Sequence, residues 1–259
     1  MKNRISTSFV LTLAFVLISQ MAHAQFQGHI NMNIYSTDDG KTETNELNMY
    51  VTKDRIFIQG EDNVSFADGV KSNGLLVRND TKDFILMMDK NEALKITKTE
   101  IEGLFSMIGM MGSMAPSSAP KEEKFEPNFR YSNKERTING FKTSELIIDN
   151  ISDNNEGDYL SVWLTPKVDI NWGMLAEPWK NLPSDVESTV NGAFRQTIFG
   201  GNNFPILIEA YDAEKGETIK VLEVNSIKKS NVAQAKVDVP SGITIVGLNQ
   251  LMMKMMMGN

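Results

Sequence analysis

Along residues 25–96, apolar and polar positions alternate with period two between clusters of turn residues, which is the mark of half-buried antiparallel strands. Ile30, Met32 and Ile34 alternate with Asn31, Asn33 and Tyr35; Thr37-Asp38-Asp39-Gly40 supplies a turn, and Glu43 to Val51 reads as the returning strand. Arg55 to Ile58, Gly74 to Arg78 (GLLVR) and Phe84 to Met88 (FILMM) follow, with Asn79-Asp80 and Asp89-Lys90-Asn91 as turn material. A strand roughly every ten to fifteen residues with short polar connections predicts a meander.

The period changes after Thr97. Ile101, Leu104, Phe105, Ile108 and Met111 fall at helical spacing, opposite a strip of Glu102, Ser106, Gly109 and Ser113. The spacing predicts an apolar helix over about 99–114, held by packing because three glycines weaken its intrinsic propensity. Residues 115–124 (APSSAPKEEK) read as an exposed Pro/Ser-rich loop. Strand alternation resumes near Phe129, with Asn139-Gly140 placed for a tight hairpin turn and Tyr159 to Thr165 (YLSVWLT) beyond it. The stretch 172–200 is irregular, and Ser184 or Asp185 N-caps a predicted short helix over 186–194. Pro205 to Tyr211 and Thr218 to Ile227 flank Glu214-Lys215-Gly216 as a last hairpin, and Leu248 to Met257 reads as a short amphipathic tail. The sum is a mainly β, α+β protein: a single curved antiparallel sheet, an unclosed half-barrel, with a few helices across its concave face.

Composition and charge narrow the chemistry. Lys2 and Arg4, the apolar run Phe9 to Ile18 and the A-x-A site Ala22-His23-Ala24 read as a cleaved signal peptide over residues 1–24. The run is about half the length a membrane span needs, so no stable transmembrane anchor is expected. Residues 25–259 then form one exported domain, periplasmic or secreted, and loss of the two basic residues takes the net charge from -7 to -9. Such an acidic chain suits neither nucleic acid nor anionic lipid. Zero cysteine excludes disulfides, thiolate nucleophiles, cysteine-bound metals and a lipid-modified N-terminal cysteine; with His29 alone outside the leader, a His-rich metal site is excluded too.

Phe26-Gln27-Gly28 after the A-x-A site, Arg55 to Ile58, Leu75 to Arg78 before Asn79-Asp80, Ile138 to Lys142 and Ser161 to Thr165 together resemble an uncharacterised family of secreted Bacteroidetes proteins, a domain of unknown function. That family is similar in pattern to the periplasmic lipoprotein-carrier fold, an unclosed antiparallel half-barrel with helices across its hollow. The resemblance spans most of residues 26–245 and implies a fold, a compartment and, by analogy, carriage of a lipid or acyl chain. It brings no catalytic residues.

Nine of the fourteen methionines outside the leader gather at Met107, Met110, Met111 and Met114 and at Met252, Met253, Met255, Met256 and Met257. Adaptable thioethers suit a promiscuous apolar groove, an irregular core, or, as soft donors, Cu(I). His29 is out of phase with Ile30, Met32 and Ile34 and is expected on the solvent face. Glu145 and Asp149 can be drawn as an acid and base pair, and Asp153 to Asp158 resembles a calcium loop in composition without its D-x-D-x-D-G order. Solvated turns explain both, and no metal or cofactor is expected. Trp163, Trp172 and Trp179 read as core or pocket wall.

These features predict a non-enzymatic carrier-like protein whose apolar ligand, or apolar envelope-protein partner, lies against Ile101, Leu104, Phe105, Ile108, Met111, Met87 and Trp163. A ligand-free envelope scaffold and a carboxylate-based hydrolase are the alternatives.

Overall fold

The computed structural model describes residues 25–38, 41–67, 70–88, 91–103, 129–149, 151, 157–177, 193–201 and 203–257. The leader, the 104–128 stretch with Leu104, Phe105, Ile108 and Met111, the Pro/Ser-rich loop, and Trp179 with most of the predicted 186–194 helix lie outside them.

Among the described residues, twelve strands form one unclosed sheet. The first meander comprises β1 (Gly28–Asp38), β2 (Lys41–Val51), β3 (Arg55–Ala67), β4 (Val70–Arg78), β5 (Asp83–Met88) and β6 (Glu92–Thr97). The second comprises β7 (Phe129–Ile138), β8 (Phe141–Asp149), β9 (Tyr159–Thr165), β10 (Phe204–Asp212) and β11 (Glu217–Lys229). The order is β12-β6-β5-β4-β3-β2-β1-β11-β10-β9-β8-β7, where β12 is Thr244–Gly247. In each meander strands adjacent in sequence pair antiparallel, β9 and β10 across the long connection between them; β1 with β11 joins the two, and β12 adds to β6 as a parallel edge. In the β7–β8 hairpin Asn139 (φ 49°) and Gly140 (φ 81°) take the paired left-handed conformation that makes Asn-Gly the preferred two-residue turn.

Period two gives the sheet two distinct faces. On the first, Ile30, Met32, Met49, Val51, Ile56, Val77 and Phe84 meet in register and join Leu146, Ile148 and Val162 in the main core. A strap crosses this face: Val168, Ile170, Trp172 and Met174, then Ala193 and Ile198 from a π-helical turn at Arg195–Phe199, all belong to the same core. Trp172 stacks on Phe204 at 6.0 Å and meets Phe199 edge-on at 5.6 Å. Most of the expected 186–194 helix lies outside the described residues; the described stretch makes one wide π turn at Arg195–Phe199, with the Thr197 hydroxyl donating to the Ala193 carbonyl at 2.7 Å.

One side chain bonds the strap twice. Asn79, in the turn after β4, donates from Nδ2 to the Asn171 carbonyl at 3.0 Å and accepts the Met174 N–H on Oδ1 at 2.7 Å. Gly173 sits over it at φ 40°, and a Cβ there would come within 2.2 Å of Asn79 Oδ1.

On the second face Leu76, Ile85, Met87 and Ala93 are covered by the chain after β11, with Val237 fully buried among them. Arg55 fastens that return: it pairs with Asp80 at 2.8 Å and Asp238 at 3.1 Å, and donates to the Val237 carbonyl at 3.2 Å. Asp83 is buried on the same face. Arg78 grips both its oxygens at 2.7 Å, Thr81 donates at 3.0 Å, and Lys95 lies at 3.4 Å. Burial pushes this carboxyl up, but the bonds from Arg78 and Thr81 and the Arg78 and Lys95 charges outweigh it and hold it below the usual range.

Two outcomes follow. A carboxyl held below its unfolded value of about 3.9 stabilises the fold at neutral pH and ceases to as pH falls through the folded value. Asp83→Asn should therefore lower stability by about 3–5 kcal/mol at pH 7, because it leaves the Arg78 cation without its partner, and the gap to wild type should close below about pH 4; urea melts at pH 7 and pH 3 measure this, and a pH-independent gap contradicts it. Asn79→Ala should cost about 1–3 kcal/mol by orphaning the Met174 N–H and Asn171 carbonyl, with faster hydrogen exchange confined to the strap; exchange that rises evenly over the sheet contradicts the pinning role.

Candidate functional site

The helix predicted from Thr99 begins at Lys98, and its described turn, 98–103, is termed α1. Thr97 and Glu100 form a reciprocal capping box. The Thr97 N–H donates to Glu100 Oε2 at 2.7 Å, and the Glu100 N–H donates to Thr97 Oγ1 at 3.3 Å. The Thr-x-x-Glu pattern was present in the sequence and marks the helix start at Lys98, three residues ahead of Ile101, where the apolar periodicity begins. α1 leaves the end of β6 toward the strap, where Lys98 Nζ reaches Glu177 Oε2 at 2.9 Å. Ile101 points inward and packs, half-buried, on the main core. The direction in which α1 departs is therefore set at three points: cap, ion pair and apolar contact.

This places the beginning of the apolar helix on the first face, beside the strap. Around the buried core there, Leu47, Ile58, Leu75, Leu160 and Leu222 pack against it while staying half-buried. The first face thus presents a fringe of aliphatic side chains beside a roof of irregular backbone, which is the chemistry of an apolar binding surface.

The other described candidates lie elsewhere. Met87 pairs with Gly74 and Ala93 and faces the second side, under the return that carries Val237. Trp163 pairs with Glu145 on one side and Leu207 on the other, opposite in phase to Val162 and Leu164, so it also faces the second side. It is buried at 6% exposure, with the Arg136 guanidinium 4.2 Å above its ring, and its Nε1 has no partner among the described residues. Ile101 and Trp163 thus both belong to the main core, Trp163 entering it from the opposite phase of β9, whereas Met87 lies in the separate second-face cluster.

The second face carries the ionisable groups. Glu145 accepts from Ser132 and Ser161, each at 2.6 Å, with Lys134 at 3.6 Å. Burial pushes it up, yet the two hydroxyls and Lys134 bring it below the ordinary carboxylate range, so it stays ionised at neutral pH and is ill suited to donate a proton. Asp149 is four residues along the same strand, about 13 Å away at strand rise, further than the ~5–9.5 Å of a glycosidase pair; it binds Arg130 instead. His29 lies on this face as its phase predicts, bonded to Asn48 at 2.7 Å and stacked on Tyr50 at 4.6 Å. Asp158, from the loop of calcium-like composition, accepts the Ala213 N–H at 2.8 Å and so ties two connections together, while 152–156 lie outside the described residues. Across the middle strands Asn31, Asn48, Glu46 and Asn225 bond to one another in a polar ladder. Among the described residues no cluster of three His, Cys, Asp or Glu is placed to hold a metal, and no helix is long and apolar enough to cross a membrane.

No family model and no curated protein sequence matches the chain. Solved structures align with it over most of its length at low identity. An uncharacterised conserved protein of Thermus thermophilus is 9% identical over 91% of this chain and 99% of its own, with a TM-score of 0.42. A LolA superfamily protein of Nitrosomonas europaea is 11% identical over 83% of this chain and 91% of its own, with a TM-score of 0.29. MucB of Pseudomonas aeruginosa, in its complex with MucA, is 12% identical over 90% of this chain, with a TM-score of 0.36; the chain spans 63% of that protein.

Proposed function

We propose that the protein is an exported, carrier-like binding protein that holds an apolar ligand, a lipid or acyl chain, or an apolar segment of an envelope partner, on the first face of the sheet. The export reading rests on the leader at residues 1–24, and the reading of residues 25–259 as one domain is supported by a single sheet that runs from Gly28 to Gly247. The observation that carries the binding reading is the seating of Ile101 on the main core beside the strap. In the sequence Leu104, Phe105, Ile108 and Met111 follow Ile101 at helical spacing and make one apolar strip with it. The ligand, in this reading, lies between that strip and the aliphatic fringe of Leu47, Ile58 and Leu75. Binding has no need of catalytic groups, and Glu145, spent on two hydroxyls, is left a structural role.

The test uses the mature chain, residues 25–259, purified from the expressing cell. Organic extraction followed by mass spectrometry should release lipid, and the delipidated protein should bind a fluorescent fatty acid. Phe105→Asp and Ile108→Asp should each weaken that binding by about tenfold or more, since losing one buried apolar side chain is worth about 1.5–3 kcal/mol. Trp163→Phe, on the other face, should leave it unchanged. A wild-type protein with neither extractable nor exchangeable apolar ligand overturns the carrier reading and leaves a ligand-free scaffold; equal affinities in all variants overturn the placement.

A further inference from the structure

The C-terminal helix α2 (Leu248–Met256) follows β12 at the sheet edge and is locked in rotation by two contacts. Leu251 packs on the cluster of Leu86, Leu94 and Val246, and Lys254 Nζ pairs with Glu92 Oε1 at 2.8 Å. Those contacts turn the opposite side outward, so that Met252, Met253, Met256 and Met257 are 45%, 51%, 80% and 70% exposed. The Met257 N–H donates to the Met253 carbonyl at 3.0 Å, which carries the helical backbone through the last of the four.

Among the described residues methionine is otherwise a core residue: Met32, Met49 and Met174 are buried in the main core. On a helix, residues three and four apart are neighbours, with Cβ atoms about 5–6 Å apart. Met252 is thus next to Met256, Met253 next to Met257, and Met253 next to Met256. The four thioethers make two triangles that share the Met253–Met256 edge. Each sulfur sits on a side chain with three rotatable bonds, so three of them can close on one small ion without moving the backbone.

Neutral thioethers are soft donors and favour soft monovalent ions over hard or borderline divalent ones. The chain has no cysteine, so no thiolate of its own competes for such an ion. Lys254, the one basic residue of α2, is engaged by Glu92 and set on the inner side of the helix, which lowers the local repulsion of a cation. We propose that Met252, Met253, Met256 and Met257 form a binding site for a soft monovalent cation, Cu(I) or Ag(I), on the outward face of α2. The site points away from the sheet, on the side of α2 opposite Leu251, which packs on the edge cluster that Leu75 joins.

The experiment titrates the mature chain with Ag(I) by calorimetry, and with Cu(I) anaerobically against bicinchoninate. The wild type should bind either ion. Met253→Leu combined with Met256→Leu breaks both triangles and should weaken binding by about tenfold or more, because even outer-shell partners of a metal are worth about 10- to 100-fold. Met252→Leu or Met257→Leu alone leaves one triangle whole and should cost only a few-fold. The four-leucine variant should lose the site while circular dichroism stays unchanged, leucine being a good helix former of similar size. Leucine also keeps the face apolar, so a surface serving only lipid or a second copy would be unaffected by these changes. Wild-type affinity in the four-leucine variant overturns the proposal, as does a wild-type protein that holds Ag(I) no better than free methionine.

Discussion

The pairing of β1 with β11 is the contact on which the rest of the sheet depends. Every other antiparallel pairing in the order joins strands that follow one another in sequence, most of them across short turns and β9 with β10 across the strap. β1 and β11 are some two hundred residues apart, and bringing them together closes the largest loop in the fold. The ladder runs from Gly28 with Lys229 to Ile34 with Leu222, with one bulge at Asn225. That bulge keeps Val224 on the core side while Asn225 turns to the other face, where its amide donates to Asn31 and Asn33. The β7–β8 turn also reaches the bulge, since Asn139 donates to the Val224 carbonyl at 2.5 Å. Long-range pairing of this kind makes the join the slow step of folding expected for such a topology.

Once the two meanders are joined, the phase of β1 is imposed on the whole sheet. Ile30 and Met32 bring the aliphatic residues of both halves to one side, where the strap and α1 lie; His29, Asn31 and Asn33 bring the polar ladder to the other. A one-residue slip at β1 would exchange the two. The two sides are also closed by different means. Asn79 pins the strap through neutral hydrogen bonds, whereas Arg55 fastens the return after β11 through Asp80 and Asp238, with the Asp80 bond and charge raising the arginine above its ordinary value despite burial. On the first face the Asn79 bonds are joined by one ion pair, Lys98 with Glu177, where α1 meets the strap, while the Arg55 clamp and the buried Arg78–Asp83 pair lie on the other.

Much of this was legible in the sequence because the dominant force acts locally. Alternation marked β1, short apolar runs between turn residues marked β5 and β9, Asn139-Gly140 marked its hairpin, and the out-of-phase position of His29 followed from Ile30. β6, Glu-Ala-Leu-Lys-Ile-Thr, is too short to show a period, and β12 is an edge strand whose pairing with β6 is parallel and remote, so neither had a local signature. The Thr97 and Glu100 capping box was readable and places the start of α1 at Lys98 rather than Thr99. Site residues were harder than strands. In Tyr-Leu-Ser-Val-Trp-Leu-Thr both phases carry apolar residues, and only the register with Glu145 and Leu207 turns Trp163 away from Val162. Met87 is likewise decided by its partners Gly74 and Ala93 and by a cover that arrives about 150 residues later, at Val237.

The central claim is that the apolar face beneath the strap is the binding face, and the tryptophans divide it from the other. Trp172 lies in the strap, and Trp163 lies across the sheet under Arg136. The most direct measurement is quenching of tryptophan emission by a brominated fatty acid in two single-tryptophan proteins, one retaining Trp172 and one retaining Trp163. The account predicts saturable quenching of Trp172 with little change at Trp163; quenching confined to Trp163, or equal and unsaturable at both, would contradict it.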